Sequence, residues 1–329
     1  MRQQISRRDN GLTRECVPGE LNAMPPDTER TRLRFPDFLG IGAQKAGTTW
    51  LHRRLEEHPD IWMPPLKEIH YFDVVHLDRP RDPGTGMTAM DVARIEKSMQ
   101  TIETMAKGGR SMRDRMKRIH GTALIGLRTL TDEWYGTIFQ DAYRSQVCGE
   151  ITPEYALLPD EGIAHIIRLC PDIKIIFVLR DPVDRGWSSL RMMQRRTNTV
   201  GAHELQQVAS EDFLCRADYS ATIERYRRYV PAERILLLDF DEIVTNPMAL
   251  LTKVCDFLGV QAEHGQFKRL ETPIHQGQQS ELDPLLYQAI CARLKPAYDR
   301  LLAFGFPAAQ RWYDKHYAND QPAAGGVAA

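Results

Sequence analysis

What the chain lacks narrows it before any motif is considered. None of its 329 residues falls in a run of 18 apolar residues, and the first thirty are polar without a hydrophobic segment, so neither a transmembrane helix nor a secretory leader is expected. No charge of one sign is in excess: 43 Lys and Arg stand against 44 Asp and Glu, which gives no global attraction to nucleic acid or to an anionic membrane. Six cysteines, at positions 16, 148, 170, 215, 255 and 291, form no C-x-x-C pair, and ten histidines form no H-x-x-x-H or Cys/His cluster. No metal is expected, and scattered thiols of this kind belong to a reducing compartment, so a cytoplasmic protein is expected. A hydrophobic share of 42% is enough for one large α/β core.

What is present concentrates in Asp37 to Leu51, DFLGIGAQKAGTTWL. The apolar run Phe38 to Ile41 reads as a buried strand, and Gly42 to Thr49 as a glycine-containing loop that opens into a helix. Such a junction cradles anions, because first-turn N–H groups point outward unpaired and the helix dipole adds about half a positive charge. The spacing of Gly42 and Gly47 matches the loop G-x-x-x-x-G-K-[ST], yet Thr48 stands where the lysine should be and Lys45 lies inside the loop. A cation so placed serves a first phosphate bridge better than a γ-phosphate.

The rest of the chain alternates strands and helices. Residues 1–34 are polar and arginine-rich without periodicity, which reads as a disordered tail before a domain over 35–315; the Ala/Gly-rich 316–329 reads as a second tail. A helix from Thr48 to His58 is stopped by Pro59, and Pro64 and Pro65 lead into KEIHYFD, Lys67 to Asp73. Residues 79–130 form a helical insertion with eleven Lys and Arg against five Asp and Glu: either a solvated flap or a lid over the substrate. Within it, Val92, Ile95, Met99, Ile102 and Met105 recur at helical spacing, as do Met112, Met116 and Ile119. Strands are expected at Gln146 to Glu150, Lys174 to Leu179 and Arg234 to Asp239, and helices at Ile163 to Leu169, Tyr219 to Val230, Asn246 to Leu258 and from Asp283, with a bend at Pro296. This order implies a parallel sheet whose ligands bind beyond the carboxyl ends of the strands. The loop Gly42 to Thr49, the stretch Glu150 to Tyr155 and Arg180 then share one edge. Arg180 offers a planar fork for a phosphate, or else pairs with Asp181 or Asp184.

Two stretches, GAQKAGTTW (42–50) and FVLRDPVDRGWSS (177–189), lie in this order about 135 residues apart. Together they make the chain resemble sulfotransferases that use 3′-phosphoadenosine 5′-phosphosulfate (PAPS), of the bacterial and heparan-sulfate-type branch, over roughly Asp37 to Trp312. The resemblance implies an α/β, three-layer P-loop-NTPase-like fold, a central parallel sheet flanked by helices, with PAPS as cosubstrate. It assigns Gln44, Lys45, Ala46, Gly47, Thr48, Thr49 and Trp50 to the 5′-phosphosulfate side, Trp50 being equally suited to the core. Arg180, with Ser188 eight residues on, falls to the 3′-phosphate. It makes Glu68 the base, with His70 orienting it or replacing it, while Lys45 stabilises the leaving phosphate; a purely structural pair of Glu68 with Lys67 is the alternative. An extended segment would point Glu68 and His70 to one side. Two departures stand out: Ile151 occupies a position where heparan-type relatives carry lysine, and Gln276-Gly277-Gln278 is the nearest match to a C-terminal cofactor contact. The implied partner is a small-molecule, glycan or lipid acceptor and no nucleic acid. The competing readings are a P-loop kinase or NTPase, and a non-catalytic binder of 3′-phosphoadenosine nucleotides.

Overall fold

Five apolar segments pair into one wholly parallel sheet: β1 (Phe38–Gly42), β2 (Ile61–Trp62), β3 (Val147–Ile151), β4 (Lys174–Leu179) and β5 (Ile235–Asp239), in the spatial order β2-β3-β1-β4-β5. The computed structural model describes residues 33–78, 89–106, 112–126, 129–197, 202–268, 270 and 283–318. Phe38 lies opposite Gly149 on one side and Lys174 on the other. A side chain at Gly149 would meet the Phe38 ring at 2.4 Å, so the central pair of strands is set by that close approach. β1 is buried along its whole length, and β4 after its first residue, as strands covered on both faces must be.

The covering helices are α1 (Thr48–Leu55), α2 (Phe72–His76), α3 (Ala89–Ala106), α4 (Met112–Gly126), α5 (Asp132–Thr137), α6 (Asp160–Leu169), α7 (Pro182–Thr197), α8 (Ala202–Ala209), α9 (Glu211–Cys215), α10 (Tyr219–Arg227), α11 (Glu242–Thr245), α12 (Pro247–Leu258), α13 (Pro284–Phe304) and α14 (Ala309–Tyr317). Short polar residues start several of them. Asp181 accepts from the N–H of Val183 at 3.0 Å, Asn246 from Ala249 at 3.2 Å, and Asp283 from Leu285 and Leu286 at 2.9 and 3.0 Å. α12 ends at Gly259 in the left-handed region, φ 84°. α13 continues through Pro296 as one element. No helix among the described residues is long and apolar enough to cross a membrane.

Three expectations are corrected at the edges. Leu33 and Arg34 belong to the fold, not to a tail, because Arg34 donates to the carbonyls of Ala142, Tyr143 and Gln146; residues 1–32 lie outside the described residues. The boundary at 316 cuts through α14, whose Trp312 and Tyr317 are buried and whose His316 lies 2.8 Å from Asp181 at the start of α7. Residues 319–329 and the Gln276-Gly277-Gln278 match lie outside the described residues. The two helices expected in the insertion exist as α3 and α4, but they are not a solvated flap. Ile125 is fully buried, Trp134 Nε1 donates to Leu124 O at 2.8 Å, and Arg118 pairs with Glu56 at 2.9 Å. The parts of the insertion at 79–88, 107–111 and 127–128 lie outside the described residues.

Candidate active site

Because all strands run in parallel, β1, β3, β4 and β5 deliver their carboxyl ends to one edge, and there a cavity of about 710 Å³ opens. Its first wall comes from the β1 loop and α7. Lys45 and Gly47 both take positive φ, 70° and 76°. A Cβ on Gly47 would meet Ile243 at 2.4 Å, so glycine is required there on two counts. The turn delivers α1 with no side-chain cap and no acid in its first turn, which leaves an anion-binding end to Gly47, Thr48 and Thr49 on the cavity wall. Gln44 and Lys45 line the cavity too, Lys45 Nζ lying 3.9 Å from Met192 Sδ. Ala46 departs from expectation: its methyl is fully buried and its N–H donates to Ala43 O at 3.1 Å, so it shapes the loop and does not line the cavity. Trp50 is only 4% exposed; it is chiefly a core residue that also closes the cavity wall.

Arg180, at the tip of β4, reaches back to Lys45 O at 2.9 Å and lies over the Phe240 ring, 4.4 Å from its centroid. Burial draws its guanidinium below the usual arginine range, and its Nε is buried without a partner. The expected alternative, an ion pair with Asp181 or Asp184, is not what the geometry shows. Those carboxylates are held by Tyr298, Lys315 and His316. Asp181, Asp184 and His316 bring ligand atoms within 4.8 Å of one another, but Lys315 sits among them, 3.3 and 2.7 Å from the two acids, so the cluster is an ion-pair knot rather than a metal site. Ser188, Met192 and Arg195 follow at helical spacing along α7 and all line the cavity.

The second wall is the segment Leu66 to His70, which runs into α2. It is not extended. Glu68 and His70 have φ of 68° and 56°, left-handed values that cost about 1 to 3 kcal/mol each in non-glycine residues. They still face one another, but through this irregular path, with His70 Nε2 3.6 Å from Glu68 Oε2. The segment is held from beneath. Ile69 is fully buried and its N–H reaches Glu150 at 3.4 Å, Tyr71 N–H donates to Tyr155 OH at 3.1 Å, and His70 Nδ1 meets the buried Asp73 at 2.8 Å. Burial pushes the Glu68 carboxyl up, but the hydrogen bond with His70 and the adjacent Lys67 ammonium outweigh it and hold Glu68 below the usual carboxylate range. Glu68 is therefore ionised at neutral pH, able to accept a proton or a hydroxyl hydrogen bond. Lys67 is itself drawn down by burial against the pull of Glu68.

The stretch Glu150 to Tyr155 does reach this edge. Glu150 is wholly buried and accepts from Thr152, Tyr155 and Tyr135 at 2.7, 2.8 and 2.9 Å, with burial raising its pKa. Glu154 is the acid on the cavity wall, paired with Arg216 at 3.0 Å. Residues that sequence reasoning passed over include Asp73, readable as the third residue after His70 at a helix start, and Phe240 and Lys97, for which nothing local in the sequence signals a site. The inserted hairpin joins the wall through Ala93, Lys97 and Ile125.

The family model described as the sulfotransferase family matches residues 36–264. The chain belongs to the sulfotransferase family. Among curated relatives, this sulfotransferase-family chain is 27% identical over 266 residues to human heparan sulfate glucosamine 3-O-sulfotransferase 6, covering 78% of itself and 60% of that protein. It is 22% identical over 248 residues to mouse heparan sulfate glucosamine 3-O-sulfotransferase 5, covering 71% of itself and 56% of that protein. The chain thus spans less than two thirds of the length of these relatives. Among solved structures it resembles a sulfotransferase from Alicyclobacillus acidocaldarius, with TM-score 0.59 and 24% identity over 84% of this chain and 99% of the other, a likeness of fold. The family membership accounts for the arrangement of the sheet and leaves the work of the individual side chains to be argued from the cavity.

Proposed function

We propose that the chain transfers the sulfuryl group of PAPS to a hydroxyl acceptor. The observation that carries this is one cavity joining an uncapped helix N-terminus, a lysine in the loop before it and a partner-poor arginine to an ionised carboxylate braced by histidine. The fit to an adenosine nucleotide with anionic groups at both its 3′ and 5′ positions is good. The α1 end with Thr48, Thr49 and Gln44 suits a 5′-phosphosulfate, and the orphaned Nε of Arg180, with Ser188 on the following helix, suits a 3′-phosphate.

Glu68 takes the proton of the acceptor hydroxyl as the acceptor oxygen bonds to sulfur. The bond from sulfur to the bridging oxygen breaks, and its electron pair stays with the 5′-phosphate that Lys45 and the α1 end hold. Asp73 fixes the His70 ring so that Nε2 faces Glu68, which orients the carboxylate and offers the proton an exit. Lys45 acts where negative charge grows on the leaving group, which stabilises the transition state more than the ground state. No metal enters this scheme. The acceptor is a small molecule, a glycan or a lipid, and the scattered thiols support a cytoplasmic location. Transfer of labelled sulfate from PAPS to a panel of glycan, lipid-headgroup, phenolic and tyrosyl-peptide hydroxyls tests the proposal. Labelled product with at least one class is expected; none, with the nucleotide bound, would leave a non-catalytic nucleotide binder.

A further inference from the structure

Arg180 follows the last residue of β4, and the Phe240 ring on which it lies follows the last residue of β5. The backbone joins these two tips through Phe240 N–H, which donates to Leu179 O at 2.8 Å. Past that bond the strands give way to α7 and α11. The tips are then held by α14, a helix beyond the residues 36–264 that the family model matches. Arg311, Trp312, Lys315 and His316 stand at i, i+1, i+4 and i+5, so they share one side of that helix. At β5, Arg311 pairs with Asp239 and Asp241 at 2.8 and 2.7 Å, and Trp312 Nε1 donates to Asp241 at 3.1 Å. Both neighbours of Phe240 are thereby tied to α14.

At β4 the tie is to Asp181, the residue after Arg180. Its carboxylate is 2% exposed and divided in use: Oδ1 accepts from Val183 N–H and the Tyr298 hydroxyl, while Oδ2 meets His316 Nε2 at 2.8 Å and Lys315 Nζ at 3.3 Å. His316 is buried as well, and its Nδ1 lies 2.9 Å from the Tyr287 hydroxyl on α13. A carboxylate only accepts, so Nε2 carries the proton that His316 gives to Asp181. The pairs of Arg311 are exposed and worth little one by one, whereas the His316–Asp181 contact is shielded from water and fixes one geometry. We propose that His316, assisted by Lys315, is a positioning residue for the 3′-phosphate: through Asp181 it sets where the Arg180 guanidinium stands over Phe240. This rests on the sulfotransferase reading above. A guanidinium fork meets a phosphate only along fixed directions, so a small displacement of the β4 tip weakens that contact and spares the 5′ side, which the β1 loop and α1 supply.

The test is calorimetry of the full chain with adenosine 3′,5′-bisphosphate and with adenosine 5′-phosphate, the ratio of the two affinities being the readout. His316→Ala should cut the preference for the bisphosphate about five- to tenfold, with affinity for adenosine 5′-phosphate unchanged. His316→Gln, whose amide can donate to Asp181 and accept from Tyr287, should keep most of the preference. Lys315→Met alters a half-exposed side chain that the fold does not need, and should cut the preference about two- to threefold. In a chain that already carries Arg180→Ala, neither His316→Ala nor Lys315→Met should reduce the ratio further, because both act through the guanidinium. A ratio that neither substitution moves, equal losses for both nucleotides, or losses that add to that of Arg180→Ala overturn the proposal and leave the sulfotransferase reading intact. Should His316→Ala fail to fold, Lys315→Met alone and with Arg180→Ala decides the matter. A wild type that does not bind the bisphosphate overturns that reading and this proposal together.

Discussion

The two walls of the cavity are built on different principles. The nucleotide wall is local: strand ends, a left-handed glycine, a helix start and a guanidinium two residues before the N1 proline of the next helix. Its binding groups are backbone donors and residues within one supersecondary unit each, so their positions follow from short stretches of chain. The acceptor wall is assembled from a distance. Glu68 and His70 take backbone angles that disfavour ordinary side chains, and they keep them because Glu150, Tyr155 and Asp73 hold the segment from below and a hairpin inserted in the chain closes over the side. A wall of the first kind can bind a constant cosubstrate; a wall of the second kind can be changed to suit an acceptor without disturbing it.

That contrast can be broken by substitutions that strike one wall only. Glu68→Gln keeps the shape of the acceptor wall and removes the proposed base, so transfer should fall by about 10² to 10⁴-fold while affinity for adenosine 3′,5′-bisphosphate stays unchanged. Unaltered turnover would remove Glu68 as the base; a parallel loss of nucleotide affinity would mean that the walls are not separable. Arg180→Ala should do the reverse. A lost charge-assisted contact is worth about 1.5 to 3 kcal/mol, so adenosine 3′,5′-bisphosphate should bind about 10 to 10²-fold more weakly while adenosine 5′-phosphate changes little. Equal losses for both nucleotides would contradict a 3′-phosphate role.

The smallest effect, counted per pH unit, concerns the proton that the buried, neutral His52 refuses behind the acceptor wall. His52 on α1 is 5% exposed, and burial, aided by Lys67 and Lys97, lowers its pKa from 6.5 to about 3. Below the unfolded value the unfolded chain binds a proton that the folded chain refuses. His52 therefore costs stability as pH falls from 6.5 toward about 3, at about 1.4 kcal/mol per pH unit. His52→Leu should flatten the dependence of the urea midpoint on pH by that one proton between about pH 4 and 6.5. An unchanged slope would show that His52 is not held neutral.

Legibility in the sequence followed the same division. The strand Lys174 to Leu179 and the helix capped by Asn246 and ended by Gly259 were readable from periodicity and capping chemistry, whereas Gln44, Lys45, Gly47, Thr48, Thr49, Arg180 and Ser188, which line one cavity, were pointed to by the resemblance to PAPS-dependent sulfotransferases. Glu68 and His70 were readable as residues, but not in their backbone: an extended path was only one case considered, and nothing in KEIHYFD alone shows two positive-φ residues beside Ile69 and Tyr71, which are held by Glu150 and Tyr155 from 81 and 84 residues away. That Glu154 lines the wall while Glu150 is buried was not readable from the sequence either. Of the basic residues in the insertion, the sequence did not single out Lys97, whose place on the cavity wall depends on where the hairpin docks. The end of α14 was lost in the polar look of the last residues, although the buried faces of Trp312 and Tyr317 hold it to the fold.

On the proposed reading, the first wall receives an adenosine nucleotide with phosphates at both the 3′ and 5′ positions. Calorimetric titration of the full chain with adenosine 3′,5′-bisphosphate and, separately, with magnesium-ATP tests it most directly. Tight binding of the bisphosphate without added metal and weak binding of magnesium-ATP are expected. Tight binding of magnesium-ATP with none of the bisphosphate would contradict it.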